Sequence, residues 1–183
     1  SMPAPGTNPA PHAHASEEIR KYVNIPVATV ARINEPWIAE ELIANGKCDM
    51  CMIGRPNLCD SEFSNKAFEG KVDDIRPCIG CGRCLTGIMF GKRISCTVNP
   101  SVEDNTITEA DVKKNVLVIG GGPAGMEAAY VAEKRGHHVV LCEKSDELGG
   151  QLRIAAVPIA KQELCRVVKF MKRRLDNEGV EVR

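Results

Sequence analysis

The stretch Val116–Ile119, Gly120-Gly121-Gly122-Pro123-Ala124-Gly125, followed by a helical pattern to about Arg135, constrains the fold more than any other part of this chain. A short apolar run, a Gly-x-Gly-x-x-Gly turn and a helix open a parallel strand–turn–helix unit. Gly120, Gly122 and Gly125 leave the backbone bare for a pyrophosphate, whose charge the helix N-terminus stabilises. The next strand, Val139–Cys142, is closed by Glu143, about twenty residues on, where a carboxylate can accept hydrogen bonds from an adenosine ribose. An anion at that place opposes a 2′-phosphate, so FAD or NAD is favoured over NADP. The competing reading is a glycine turn needed only for tight strand–helix packing. Leu164, Val168, Met171 and Leu175 then mark one face of a later helix that Gly179 closes, and Val180–Arg183 begins a further strand.

The second signal is Cys78-x2-Cys81-x2-Cys84-x11-Cys96. Three thiolates at two-residue intervals on an irregular loop can turn inward around one cubane, and a fourth brought back by a short excursion completes the iron ligands. Zinc and unligated thiols are the alternatives; structural zinc more often uses two separated Cys-x2-Cys knuckles. The chain holds nine cysteines, an odd number, and Ser1–Ala15 lacks the basic and apolar regions of an export signal. A disulfide framework is therefore a poor reading, and clustered thiols in a reducing compartment point to metal. Cys48, Cys51, Cys59, Cys142 and Cys165 lack ligand spacing and read as small apolar core residues.

The first segment reads as alternating helices and strands. Ser16 is placed to cap a short helix with Glu17 and Glu18 in its first turn. Ile25–Val30 reads as a buried parallel strand in which Pro26 is tolerated at the start. Asn34 is an N-cap candidate with Pro36 in the first turn, Ile38, Leu42 and Ile43 give an apolar face, and Gly46 a stop. A second strand, Asp49–Ile53, ends in Gly54-Arg55-Pro56. Arginines at two neighbouring strand ends, Ala31-Arg32 and Gly54-Arg55, could hold a phosphate at the mouth of a (β/α)8 barrel, although spacing alone favours surface ion pairs.

Lysine plus arginine and aspartate plus glutamate each total 24, so no global positive field exists to attract nucleic acid or a membrane surface. No run has the roughly 18 apolar residues of a membrane helix. The chain reads as soluble and cytoplasmic. His12 and His14 on a proline-rich loop and His137-His138 at a helix-to-strand turn read as bland; Trp37 and Phe170 read as helix packing. The expected division is 1–72, 73–113 and 114–183, and with only two strands in the first part the chain reads as an internal piece of a longer polypeptide.

The order of parts, GRP, then CIGCGRCL and CTVNP, then VLVIGGGPAGMEAA with CEK and ELGGQL, resembles the iron–sulfur flavoenzymes related to Old Yellow Enzyme, among them 2,4-dienoyl-CoA reductase, enoate reductases and trimethylamine dehydrogenase. The resemblance runs from about Ile25 to Arg183. It implies an α/β fold made of the last two β/α units of a TIM barrel, a [4Fe–4S] segment and the first half of a Rossmann-like FAD-binding domain. It makes Ala31, Arg32, Gly54 and Arg55 contacts of FMN, with Ala31 where such patterns often carry glycine. It makes Cys78, Cys81, Cys84 and Cys96 the cluster ligands, and Gly120, Gly122, Ala124, Gly125, Glu143 and Gln151 the FAD contacts.

The function so implied is NAD(P)H-dependent reduction of an activated C=C bond in a small unsaturated substrate, electrons passing through FAD, the cluster and FMN, in an enzyme that can form homo-oligomers. No proton donor is found here, and the chain alone is expected to be inactive. Competing readings are an amine dehydrogenase of the same family and an iron–sulfur/FAD electron-transfer subunit; the β/α units at Ile25–Ile53 oppose the latter.

Overall fold

A computed structural model describes residues 6–104 and 106–183; the first five residues of the Ser1–Ala15 loop and Asn105 of the polar connector lie outside them. The chain divides into a unit ending at Glu103 and a unit beginning at Asp104. The cysteine-rich segment falls in the first.

In the first unit, α1 (Ala13–Arg20) leads to β1 (Ala28–Val30), α2 (Pro36–Ala44) and β2 (Met50–Met52). The two strands are parallel, with Ala28 opposite Met50 and Val30 opposite Met52. Both are shorter than the sequence suggests. Pro26 has no N–H to give, and the Val27 N–H is taken by the Asp49 carboxylate at 2.8 Å instead of a ladder carbonyl. The first helix begins one turn before Ser16, so Ser16 is not its cap: its hydroxyl donates back to the Ala13 carbonyl, and His12 stands at the N-cap. Likewise Glu35, not Asn34, stands at the N-cap of α2, with Pro36 at the first helical position. Leu42 turns inward with Ile38 and Ala39 onto Ala10, Ile33 and Cys48. Trp37, one residue from Ile38 and so about 100° round the helix, stays 54% exposed and is not a packing residue.

Three further helices follow: α3 (Arg55–Cys59), α4 (Phe63–Phe68) and α5 (Arg83–Met89). The last overturns the expectation of an irregular cysteine loop. Leu85, Ile88 and Met89 repeat at helical spacing, and α5 carries Cys84 in its first turn. Asp60, 8% exposed, knots this region: its carboxylate accepts from the N–H groups of Glu62 (3.1 Å) and Arg76 (2.7 Å) and from Lys66 Nζ (2.7 Å).

In the second unit, β3 (Asn115–Ile119), α6 (Pro123–Lys134), β4 (His138–Cys142), α7 (Gln151–Ala155), α8 (Glu163–Glu178) and β5 (Glu181–Val182) build a parallel sheet of order β3-β4-β5. His138 pairs with Asn115 and is a strand residue, leaving only His137 in the turn. Met126 and Ala129 of α6 face Val167, Val168, Met171 and Leu175 of α8, as periodicity requires of an amphipathic pair. Phe170 is buried with them. Arg174 locks the pair, bonding Glu127 at 2.6 Å and lying 3.4 Å over the Tyr130 ring.

Candidate functional site

Because Val30 is level with Met52, the chain leaves β1 and β2 side by side at one sheet edge. There Ala31, Arg32, Gly54 and Arg55 line a single pocket, together with His12, Asn34 and Leu85 of α5. Ala31 (φ +88°) and Arg32 (φ +47°) adopt the left-handed region, which is strained for side-chain-bearing residues and clusters at functional sites. Neither arginine is a surface residue: Arg32 is 5% exposed and Arg55 half-buried. The Arg32 guanidinium lies against Gly80, where a Cβ would come within 3.0 Å of its Nη1. Arg55 Nη1 is buried with no hydrogen-bond partner. An unpaired buried donor is costly, and an anion in the pocket would satisfy it.

Cys78, Cys81, Cys84 and Cys96 line one small cavity with Leu58 and, again, Arg55. They grade from buried Cys84 through half-buried Cys78 and Cys96 to exposed Cys81. Among the described residues, no three His, Cys, Asp or Glu side chains crowd together as ligands of a single ion. Burial pushes the Cys78 thiol up, against the Gly80 N–H and the Arg55 charge. Cys96 is brought down to about 6, first by a hydrogen bond from the Cys59 thiol, then by the N–H groups of Asn99 and Val98 and by Arg76, with burial opposing. The same contact and burial push Cys59 up.

In the second unit the register puts Ile119 opposite Cys142, so Gly120 and Glu143 must leave the sheet together. The Gly120 N–H still reaches the Cys142 carbonyl at 2.7 Å, and its φ of +103° turns the chain into the loop. A Cβ on Gly125 would lie 1.9 Å from the Gly120 carbonyl oxygen, whereas one on Gly122 would meet nothing within 4 Å. One glycine closes the strand–helix contact and the other faces open space. The Glu143 carboxylate accepts from the Gly121 N–H at 2.6 Å and from the Ser145 N–H and hydroxyl at 3.0 and 2.9 Å. These bonds hold it below the usual carboxylate range. The first-turn N–H groups of α6, that of Ala124 among them, have no intrahelical partner and point toward the loop's mouth. Gln151 stands exposed at the start of α7, just after Gly149, whose N–H bonds the Gly121 carbonyl at 2.8 Å.

The structure thus gathers the sequence-predicted residues into three places: the β1/β2 edge, the cysteine cavity and the glycine loop. Sequence reasoning missed Asn34 and His12 at the edge pocket, Leu85 beside them, Gly121 as the partner of Glu143, and Cys59 against Cys96. The helical spacing after Cys84 was a usable signal for Leu85; Cys59 carried none, because its role depends on a contact across 37 residues.

Residues 115–175 match the family model described as FAD dependent oxidoreductase. The chain is 46% identical over 176 residues to an NADH oxidase of Thermoanaerobacter brockii, covering 93% of this chain and 27% of that one. It is 40% identical over 172 residues to a cinnamate reductase of Clostridium sporogenes, covering 92% and 26%. A solved 2-naphthoyl-CoA reductase, in complex with 2-naphthoyl-CoA, superposes with a TM-score of 0.93 at 30% identity, over 100% of this chain and 29% of that one. The chain thus spans under a third of the length of each relative, yet the likeness runs through all three of its candidate sites. Its homologues are members of the family of iron–sulfur flavoenzymes related to 2,4-dienoyl-CoA reductase and Old Yellow Enzyme, and this chain matches a fragment of them.

Proposed function

We propose that this chain forms the FMN-phosphate edge of a TIM barrel (1–72), a [4Fe–4S] segment (73–113) and the first half of a Rossmann-like FAD domain (114–183) in an NAD(P)H-dependent oxidoreductase that reduces activated C=C bonds. The observation that carries the reading is the shared wall. Arg55 lines both the edge pocket and the cysteine cavity, and Leu85 of the pocket follows Cys84 of the cavity. Two sites that touch in this way suit two electron carriers that must exchange electrons. When bound, the groups supply a redox relay from NAD(P)H through FAD, a [4Fe–4S] cluster and FMN to the substrate.

The chain's own residues hold and orient. Arg32 and Arg55 offer guanidinium donors to a phosphate in the pocket both line, and the left-handed backbone at Ala31 and Arg32 shapes the turn that carries the first of them. Cys78, Cys81, Cys84 and Cys96, which line one cavity, would each supply a thiolate to one iron of the cluster. The spacing, with a single trailing Cys96 in place of a second Cys-x2-Cys knuckle, favours this over structural zinc. The α6 N-terminus and the open face of Gly122 receive a pyrophosphate, and Glu143 accepts the hydroxyls of an adenosine with a free 2′-OH. The names of the relatives, cinnamate reductase above all, support an unsaturated small-molecule substrate. A thiolate ligand set requires a reducing compartment, which supports a cytoplasmic setting; among the described residues no helix is long and apolar enough to cross a membrane.

Anaerobic purification of the chain tests the reading. It should carry about four irons and four sulfides, lost when any of Cys78, Cys81, Cys84 or Cys96 is changed to alanine. Stoichiometric zinc, or iron retained in all four variants, overturns it. The chain alone should show no reduction of an activated enone with FMN, FAD and NADH supplied, since two barrel strands enclose no substrate pocket.

A further inference from the structure

Cys96 reaches the other three cavity cysteines through the segment that returns after α5, and that return is fixed along its length. The Lys92 N–H donates to the Gly87 carbonyl at 2.8 Å. Gly87 itself lies so close to the returning chain that a Cβ there would come 2.7 Å from the Arg93 carbonyl oxygen. The two residues that flank Cys96 then grip the segment bearing the other cysteines. Arg83 Nε donates to Ser95 Oγ at 3.0 Å, and Thr97 Oγ1 lies 3.2 Å from Cys81 Sγ. Just beyond, Arg76 Nη1 donates to the Val98 carbonyl at 3.0 Å and the Asn99 amide oxygen at 3.1 Å. Thr97 is thus anchored on both sides, lines the cysteine cavity, and meets the sulfur of Cys81, the exposed member of the four.

We propose that Thr97 is a positioning residue for the electron carrier in this cavity: its hydroxyl donates to the Cys81 sulfur and, through it, favours the reduced cluster over the oxidised one. The inference rests on the cluster reading above. A thiolate that ligates iron has no proton to give, so the hydroxyl is the donor of this pair. Reduction adds negative charge to the cluster and its thiolates, and a donor aimed at a ligand sulfur stabilises that added charge more than the oxidised state. Water at this exposed corner also offers protons, but only the hydroxyl is held in one direction, by the anchors at Ser95 and Val98. An apolar side chain of the same shape would fill the space and offer no proton.

The test is a redox titration of the anaerobically purified full chain, followed by electron paramagnetic resonance, with iron content measured on every sample. Variants are Thr97→Val, which keeps the shape and removes the donor, and Thr97→Ser, which keeps the donor and removes a methyl. At one fixed potential the ratio of reduced to oxidised cluster should fall about threefold in Thr97→Val, the lower range for one hydrogen bond because water shares this corner. Thr97→Ser should stay close to the parent. A valine variant with full iron and an unchanged or raised midpoint overturns the proposal, and so does a serine variant whose midpoint falls as far as that of valine. Loss of iron from either variant overturns it too, because the side chain then serves to assemble the cluster and not to set its potential. Absence of iron from the unsubstituted chain would instead fail the cluster reading itself and take this inference with it.

Discussion

The carboxylate of Glu143 accepts a 2.6 Å hydrogen bond from the backbone N–H of Gly121, so the residue that closes β4 also fixes the loop that follows β3. Together with Ser145 this bond holds the Glu143 carboxyl below its ordinary 4.5. A carboxylate depressed in the fold lends stability that is fully present above its unfolded value and is lost as pH falls through the lower folded value. Protection of the Gly121 amide from hydrogen exchange, corrected for intrinsic rates, should therefore be constant from neutrality to about pH 5 and decline below it. Glu143→Gln should lower the protection at neutral pH and flatten the acid decline. Equal protection in both proteins at pH 7 would mean that the bond does not hold the loop.

Gly122 and Gly125 are expected to separate binding from folding. A methyl at Gly125 would sit 1.9 Å from the Gly120 oxygen, so Gly125→Ala should destabilise the second unit by roughly 3 kcal/mol or more. Gly122→Ala has room in the folded chain and should leave the urea midpoint unchanged. Its methyl occupies the space proposed for a pyrophosphate, so FAD affinity measured by flavin fluorescence should fall at least tenfold. Comparable loss of stability in both variants would sink the distinction.

Ala31 stands at φ +88°. Ala31→Gly should relieve that conformation and raise the unfolding free energy of the first unit, read from urea titration, by about 1 kcal/mol, while Ala31→Val should cost about 1–3 kcal/mol. A glycine variant no more stable than the parent would show that the surrounding packing already compensates the turn.

Arg55 brings a buried nitrogen without a partner into the edge pocket. Arg55→Met should therefore leave the flavin-free chain at least as stable as the parent, because an apolar replacement removes an unsatisfied donor. It should weaken FMN binding about tenfold or more in calorimetric titration. Arg55→Lys should recover part of the affinity, as a point charge without the paired fork. FMN binding unaffected by both changes would remove Arg55 from the phosphate site.

Where a residue's role was local, the sequence carried it. The GxGxxG turn and the strand ending at Cys142 have to converge once β3 and β4 pair in register, so Glu143 could be placed at the loop from spacing alone. The α8 face and its Gly179 stop are periodic and therefore legible. Strand ends were harder, because Asp49 replaces a ladder bond at Val27 with a side-chain bond, and no pattern of apolar residues records that exchange. The α5 helix was hidden because the cysteine spacing and the helical spacing of Leu85, Ile88 and Met89 overlap in one short stretch. Asn34 and Cys59 were illegible for a different reason: each matters only through neighbours distant in the chain, Gly80 for one and Cys96 for the other.

Arg55 stands in the wall of two cavities at once, and that limits how this position can change over generations. A substitution there must satisfy an anion site and a thiolate site in the same step, so variants acceptable to one are filtered by the other. Drift at such a position proceeds only along the narrow overlap of two tolerances. Family members that change substrate are therefore expected to do so elsewhere and to leave this arginine in place.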